Sequence, residues 1–204
     1  MKQVWRIGGS ALVISMAATL AAQAAGRPKA DPDWPCHQAK VVDFPLASVW
    51  DGPPIETMST AERDDPVAAG LAAQMTQRRV PIVNVQAAVD KLLGSPDPKA
   101  RIRVAQAFAA AFEELVRQRS EIIAGLDRFG RKQREMAERI RAENAAAPRD
   151  GAQGLQTEDQ ALQKLQWDLR VFDDRRRTAG FVCEAPQAIE TRIGDIVKVV
   201  RAAF

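Results

Sequence analysis

The chain has 204 residues, enough for one domain with a core of its own, and it carries 29 basic against 26 acidic side chains. Tyr is absent and aromatic residues are few, while Ala, Arg, Gln, Glu and Leu dominate beyond residue 97, the palette of long helices and coiled coils. Loss of a leader containing Lys2 and Arg6 leaves 27 basic (29 − 2) against 26 acidic residues, a balance that argues against nucleic-acid binding through a net basic face.

The opening MKQVWRIGGSALVISMAATLAAQAAG has a short basic start, an apolar run from Ile7 to about Leu20, and the small-x-small pattern Ala22-Gln23-Ala24. This predicts a secretory signal peptide over 1–24, cleaved after Ala24. The apolar run is shorter than the roughly 20 residues that span a bilayer. No cysteine stands at the cleavage point, so a lipoprotein is not expected. The processed chain is expected in a bacterial periplasm and not as an integral membrane protein.

Residues 25–58 are rich in proline (28, 32, 35, 45, 53 and 54), which removes backbone donors and excludes both helix and central strand. An extended arm is predicted. Trp34, Val41, Val42, Phe44, Leu46, Val49 and Trp50 are too apolar to remain in water, so the arm should dock on the rest of the chain.

Two short helices are predicted within 59–96. Asp65-Pro66 offers a cap followed by proline at the first helical position, and Asn84 is read as the cap of VQAAVDKLL, which Gly94 ends. Val85, Val89 and Leu92 fall on one face of the second helix.

Residues 97–204 are read as a long helical hairpin. Asp97-Pro98 supplies the start, and Phe108, Phe112, Leu115, Arg119, Ile122, Leu126, Phe129, Gln133, Met136 and Ile140 follow at alternating steps of four and three, an unbroken heptad seam. No proline occurs between Pro98 and Pro148, so the helix can run to roughly 70 Å at 1.5 Å per residue. NAAAPRDGAQG, 144–154, is the predicted turn. A second seam follows through Leu155, Leu162, Leu165, Leu169, Phe172, Arg176, Ala179 and Cys183, is reset by Pro186, and resumes through Ile189, Ile193, Ile196 and Val200. Folding about residue 150 sets basic residues 128–141 against acidic residues 158–174, with Arg128 near Asp173 and Asp174 and Lys132 near Asp168. The same seam could serve a homodimer, but the turn-like break and matched halves favour internal pairing. Gly125, Gly130 and Gly180 are read as points of close helix approach, and Arg119 and Arg176 as seam arginines that snorkel to water.

The fold class expected is therefore all-α: a long antiparallel coiled-coil hairpin with two short N-terminal helices and a proline-rich arm, stapled by one disulfide.

That disulfide is Cys36–Cys183. Two cysteines in an exported chain pair most simply with each other, and closing so long a loop stabilises by roughly 4 to 5 kcal/mol in the chain-entropy model. His37, the only histidine, stands beside Cys36 but lacks the partners that other chemistry requires. Covalent haem needs a second cysteine before the histidine, and zinc needs three or four ligands. Neighbouring side chains of an extended arm point apart, which disfavours a thiolate–imidazole pair. No phosphate loop, dinucleotide fingerprint, HExxH or GxSxG occurs, so neither a cofactor, a metal nor an enzymatic activity is expected.

LQTEDQALQKL, residues 155–165, resembles over about a dozen residues the LTxxQ element of periplasmic all-helical stress chaperones and metal-resistance proteins. Thr157 is displaced by one position, no second copy occurs, and the His and Met clusters of the metal-binding members are missing. The resemblance assigns no family.

The function expected first is an interaction scaffold or adaptor in an envelope assembly, engaging a protein partner through Trp34, Trp50, Arg119, Arg176 or the tip residues Pro148, Arg149 and Asp150. The alternatives are a periplasmic holdase chaperone, using an apolar concavity near Trp50 or the Phe108–Phe112 end, and a metal or redox sensor using Cys36 and His37.

Overall fold

A computed structural model describes residues 31–52, 65–146 and 155–204. The expected leader and the tip residues Pro148, Arg149 and Asp150 lie outside the described residues. Helix α1, Pro66–Thr76, starts as its sequence dictates: Asp65 Oδ1 accepts from the amides of Val67 at 2.9 Å and Ala68 at 3.1 Å, while Pro66 occupies a position whose N–H has no partner in any helix. Arg103 Nε reaches the other oxygen of Asp65 at 2.8 Å and so ties this cap to the third helix.

Helix α2, Ile82–Leu93, begins two residues before Asn84, and no side chain caps it. Pro81 sets the entry instead. Its ring fixes φ, and its carbonyl accepts the amide of Asn84 at 3.0 Å, so Asn84 belongs to the first turn and is not the cap. Val85 and Val89 are buried and Leu92 is half-buried, as their shared face requires.

Helix α3, Ala100–Ala146, runs 47 residues without a break. Helix α4, Leu155–Cys183, and helix α5, Ala185–Arg201, are separated by Glu184 alone. Pro186 explains the interruption, because it cannot donate to the carbonyl four residues back. Among the described residues every regular element is helical, a short 3-10 turn at Leu46–Ser48 included.

The core gathers at one end. Leu71 and Met75 of α1, Val85 and Val89 of α2, Val104 to Leu115 of α3, and Ile189, Ile193, Ile196 and Val200 of α5 form one apolar cluster, which Trp50 covers. Each such aliphatic side chain contributes about 1.5–3 kcal/mol on burial. The remainder of α3 and most of α4 lie outside that cluster. Their cross-contacts descend as α3 ascends: Gln133 Nε2 donates to the Phe172 carbonyl, and Lys164 of α4 pairs with Glu143.

The seams differ from the sequence pattern in detail. On α3, Ile123 and Gly130 are buried where Ile122 and Phe129 are only half-buried. On α4, Leu165 and Phe172 are half-buried and Ala179 and Cys183 buried, but Leu162 and Leu169 remain 49% and 45% exposed and Arg176 faces solvent. One helical neighbour cannot cover a full apolar stripe, so the flank of the α4 seam stays wet. The expected pairs of Arg128 with Asp173 or Asp174 and of Lys132 with Asp168 are absent among the described residues. Asp168 and Asp174 instead take Lys164 and Arg177 of their own helix, at 3.2 and 3.9 Å.

Candidate functional site

Residues 31–45 carry no helix and run as a strap along α3 toward its N-terminal end, from Asp33 beside Gly130 to Phe44 beside Phe112. Its first turn is local: Asp31 Oδ1 accepts from the Asp33 amide at 3.0 Å, and the Asp31 carbonyl accepts from the Trp34 amide at 3.1 Å. Proline at 32 and 35 prevents either helix or ladder from competing. Trp34 is half-buried, donates through Nε1 to the Gln38 carbonyl at 2.7 Å, and lies under Lys40 with 5.8 Å from the ammonium to the ring centre.

Gly130 is the seat of the strap. A Cβ there would collide with the carbonyl of Asp33, so only glycine admits this approach. The close approach expected at Gly130 is therefore by the strap and not by a helix. A side chain at Gly180 would meet nothing within 4 Å, and one at Gly125 would only touch Arg128, so neither glycine serves packing.

Ion pairs reinforce the seat. Arg134 reaches Asp33 at 2.8 Å, and Lys40 bridges Asp31 at 2.9 Å and Asp127 at 2.8 Å. The hydrogen bond from Lys40, with help from the Asp33 amide, holds the Asp31 carboxyl below its ordinary value. The hydrogen bonds to Asp127 and then Asp31 raise the Lys40 ammonium above its own. Cys36 is joined to Cys183 with 5.6 Å between Cα atoms, and Gln38 Nε2 donates to the Cys183 carbonyl. Strap, α4 and the start of α5 thus meet at one covalent point.

Arg119 organises the centre. The sequence reading let it snorkel to water; in the structure it is 1% exposed. Its Nε donates to Glu190 Oε1 at 2.7 Å, while Nη2 and Nη1 donate to the Val41 and Val42 carbonyls at 2.7 and 3.2 Å. The guanidinium also lies 5.3 Å from the ring centre of Phe44. A rigid fork with five donors suits this task, whereas a lysine could not reach all three acceptors. Because Arg119 reads main-chain carbonyls, the Val41 and Val42 side chains are left facing solvent.

A cleft of roughly 130 Å³ opens between strap, α3 and α5, lined by Trp34, Val41, Arg119, Ile123, Pro186 and Glu190 among others. Its one buried charge is already matched by Glu190. The arrangement positions a main chain and seals a seam. His37 is exposed on the strap, Cys36 is held in the bridge, and among the described residues no group of three or more His, Cys, Asp or Glu is placed to hold a metal.

Of the other expected interaction residues, Trp50 belongs to the core, 4.9 Å from Phe108 and 6.1 Å from Phe204 between ring centres. Phe108 and Phe112 are buried there too, so the apolar concavity expected at this end is filled by the protein itself. Arg176 stands in solvent on α4.

The sequence reading missed Arg192. It is buried on α5 and donates to the carbonyls of Gln74, Met75, Gln77 and Val80, closing the C-terminal end of α1 and the loop beyond. Burial lowers its pKa. The available signal was an arginine set among Ile189, Ile193 and Ile196 on an apolar face.

Among the described residues no helix is long and apolar enough to cross a membrane. The chain matches no protein-family model, no curated protein and no solved structure.

Proposed function

We propose that this chain is an exported, periplasmic, non-enzymatic scaffold or adaptor, whose long helices form an antiparallel coiled-coil hairpin that turns near 144–154 and is strapped by the proline-rich arm. The observation that carries this reading is the separation of core from extension. The buried members of the apolar cluster end at Leu115 on α3, with Val116 and Ile122 packed against it, yet α3 continues to Ala146 beside α4. About 30 residues of helix, some 45 Å at 1.5 Å per residue, exceed what the core requires and offer surface at a distance from it.

Support for export comes from the Cys36–Cys183 bridge together with the leader-like start, since such bridges persist where thiols are oxidised. Mass spectrometry of the secreted protein should give Ala25 as first residue and a mass two hydrogens below the reduced chain. An uncleaved start or two free thiols in the native host would remove the exported reading.

A photo-crosslinking residue at position 149, 162 or 169 tests the scaffold role. One discrete heavier species should form in cells from these positions and be lost when Leu162→Glu and Leu169→Glu are combined. A diffuse smear, or no adduct from any of the three, contradicts it.

A further inference from the structure

Helix α4 has a second face that, among the described residues, has no neighbour. Leu165, Asp168, Phe172, Ala179 and Cys183 are half-buried or buried on one side of the helix, with Val171 half-buried on the flank. At 3.6 residues per turn, Gln163, Trp167, Arg170, Asp174, Arg177 and Phe181 lie on the opposite side, again at alternating steps of four and three. Trp167 and Phe181 are 62% and 78% exposed, the two most exposed large apolar residues of this helix among the described side chains. Single exposed apolar residues are ordinary. Here two aromatic side chains stand in heptad register on one face, with the charges of Arg170, Asp174 and Arg177 between them.

We propose that this face binds the same face of a second copy of the chain, antiparallel about a two-fold axis at Asp174. The spacing is palindromic: Trp167 lies seven residues before Asp174 and Phe181 seven after. Antiparallel pairing about residue 174 therefore sets each Trp167 against the Phe181 of the second copy, twice over, as an isologous contact requires. The two Asp174 carboxylates meet near the axis, where Arg170 and Arg177 of the opposite copy flank each of them. Within one chain Asp174 has only a loose contact with Arg177, at 3.9 Å, and both side chains are well exposed. Charges so placed select orientation and register more than they add affinity. Parallel pairing would set Trp167 on Trp167 and leave the arginines opposite one another. The contact is one helix face wide, so the dissociation constant is no tighter than about 1 µM. The inference stands apart from the scaffold reading, because it uses the face turned away from the seam and strap.

Sedimentation of the oxidised full-length protein from about 1 to 200 µM tests it. A monomer–dimer equilibrium is expected. Trp167→Glu and Phe181→Glu should each raise the dissociation constant at least tenfold without changing the melting temperature. Mixing the two variants should recover part of the association, because one Trp167–Phe181 contact survives only in the mixed dimer. Under oxidant, Asp174→Cys should cross-link to itself, while Gln163→Cys, placed far from its own symmetry mate, should not. A monomer throughout, a dimer indifferent to Trp167 and Phe181, or self-linkage at position 163 and not at 174 overturns the proposal.

Discussion

The two ends of α3 solve the same problem by different means. From Val104 to Leu115 the helix is covered by α1, α2 and α5, and close apolar packing, aliphatic and aromatic, holds the cluster together. From Arg119 onward α4 is its main helical neighbour, and one neighbour leaves a groove. The strap fills that groove from Phe44 to Asp33 with little apolar material: a main chain read by a guanidinium, a glycine notch, ion pairs and one covalent bridge. Buried arginines mark both ends, and each is spent on carbonyls. Arg192 closes a helix terminus inside the core, whereas Arg119 pins an irregular segment outside it.

The largest way to break the difference is to remove the bridge. It closes a separation of 147 residues, so Cys36→Ser with Cys183→Ser should cost about 4–5 kcal/mol against denaturant, less if the unfolded chain is compact. The loss should begin in the distal helices, with the core end melting later.

Replacing each arginine by methionine sharpens the comparison. Arg119→Met leaves Glu190 and two strap carbonyls without their donor and should cost about 3 kcal/mol, loosening the distal half first. Arg192→Met strands carbonyls at the end of α1 and should cost about 2 kcal/mol, seen as one cooperative shift of the whole melting curve. Lysine at 119 should recover little, because the fork is what the site uses.

Gly130→Ala places a methyl group against the Asp33 carbonyl. Overpacking of this kind costs about 1–3 kcal/mol. The change should slow formation of the Cys36–Cys183 bridge during oxidative refolding, while Gly180→Ala, with open space around it, should leave that rate alone.

Acid gives the smallest effect. Asp31 and Asp65 are held below their ordinary values, by Lys40 and Arg103 respectively, and Glu114 is held at about 2 by Arg117. A carboxyl with a lowered folded pKa contributes stability above its unfolded value and loses it as pH falls through the folded one. Denaturant midpoints should thus be level above pH of about 4.5 and decline toward pH 2. Since these pairs are solvent-accessible, 0.5 M salt should blunt the decline.

Much of the core end was legible because helix period and cap chemistry are local. Asp65-Pro66, the α3 seam from Phe108 to Leu115, and the α5 stripe from Ile189 to Val200 follow from spacing alone. The bridge was legible from the count of two cysteines and the expectation of export. The strap seat was not. That Arg119 turns inward, that Gly130 admits a carbonyl, and that Lys40 finds Asp127 depend on where an irregular segment lies, which no periodicity encodes. Arg192 escaped for the same reason: its four acceptors are main-chain groups 112 to 118 residues away. The expected matching of charge blocks across α3 and α4 failed because carboxylates three or four positions away along a helix reach their partners first.

The most direct test of the two-ended account is residue-resolved amide hydrogen exchange on the full-length protein, oxidised and reduced. Protection in α1, α2, 104–115 of α3 and α5 should persist after reduction, while 119–146 of α3 and α4 should lose it together. Equal loss across both ends, or no loss in the distal helices, would contradict the claim that strap and bridge hold the one region and apolar packing the other.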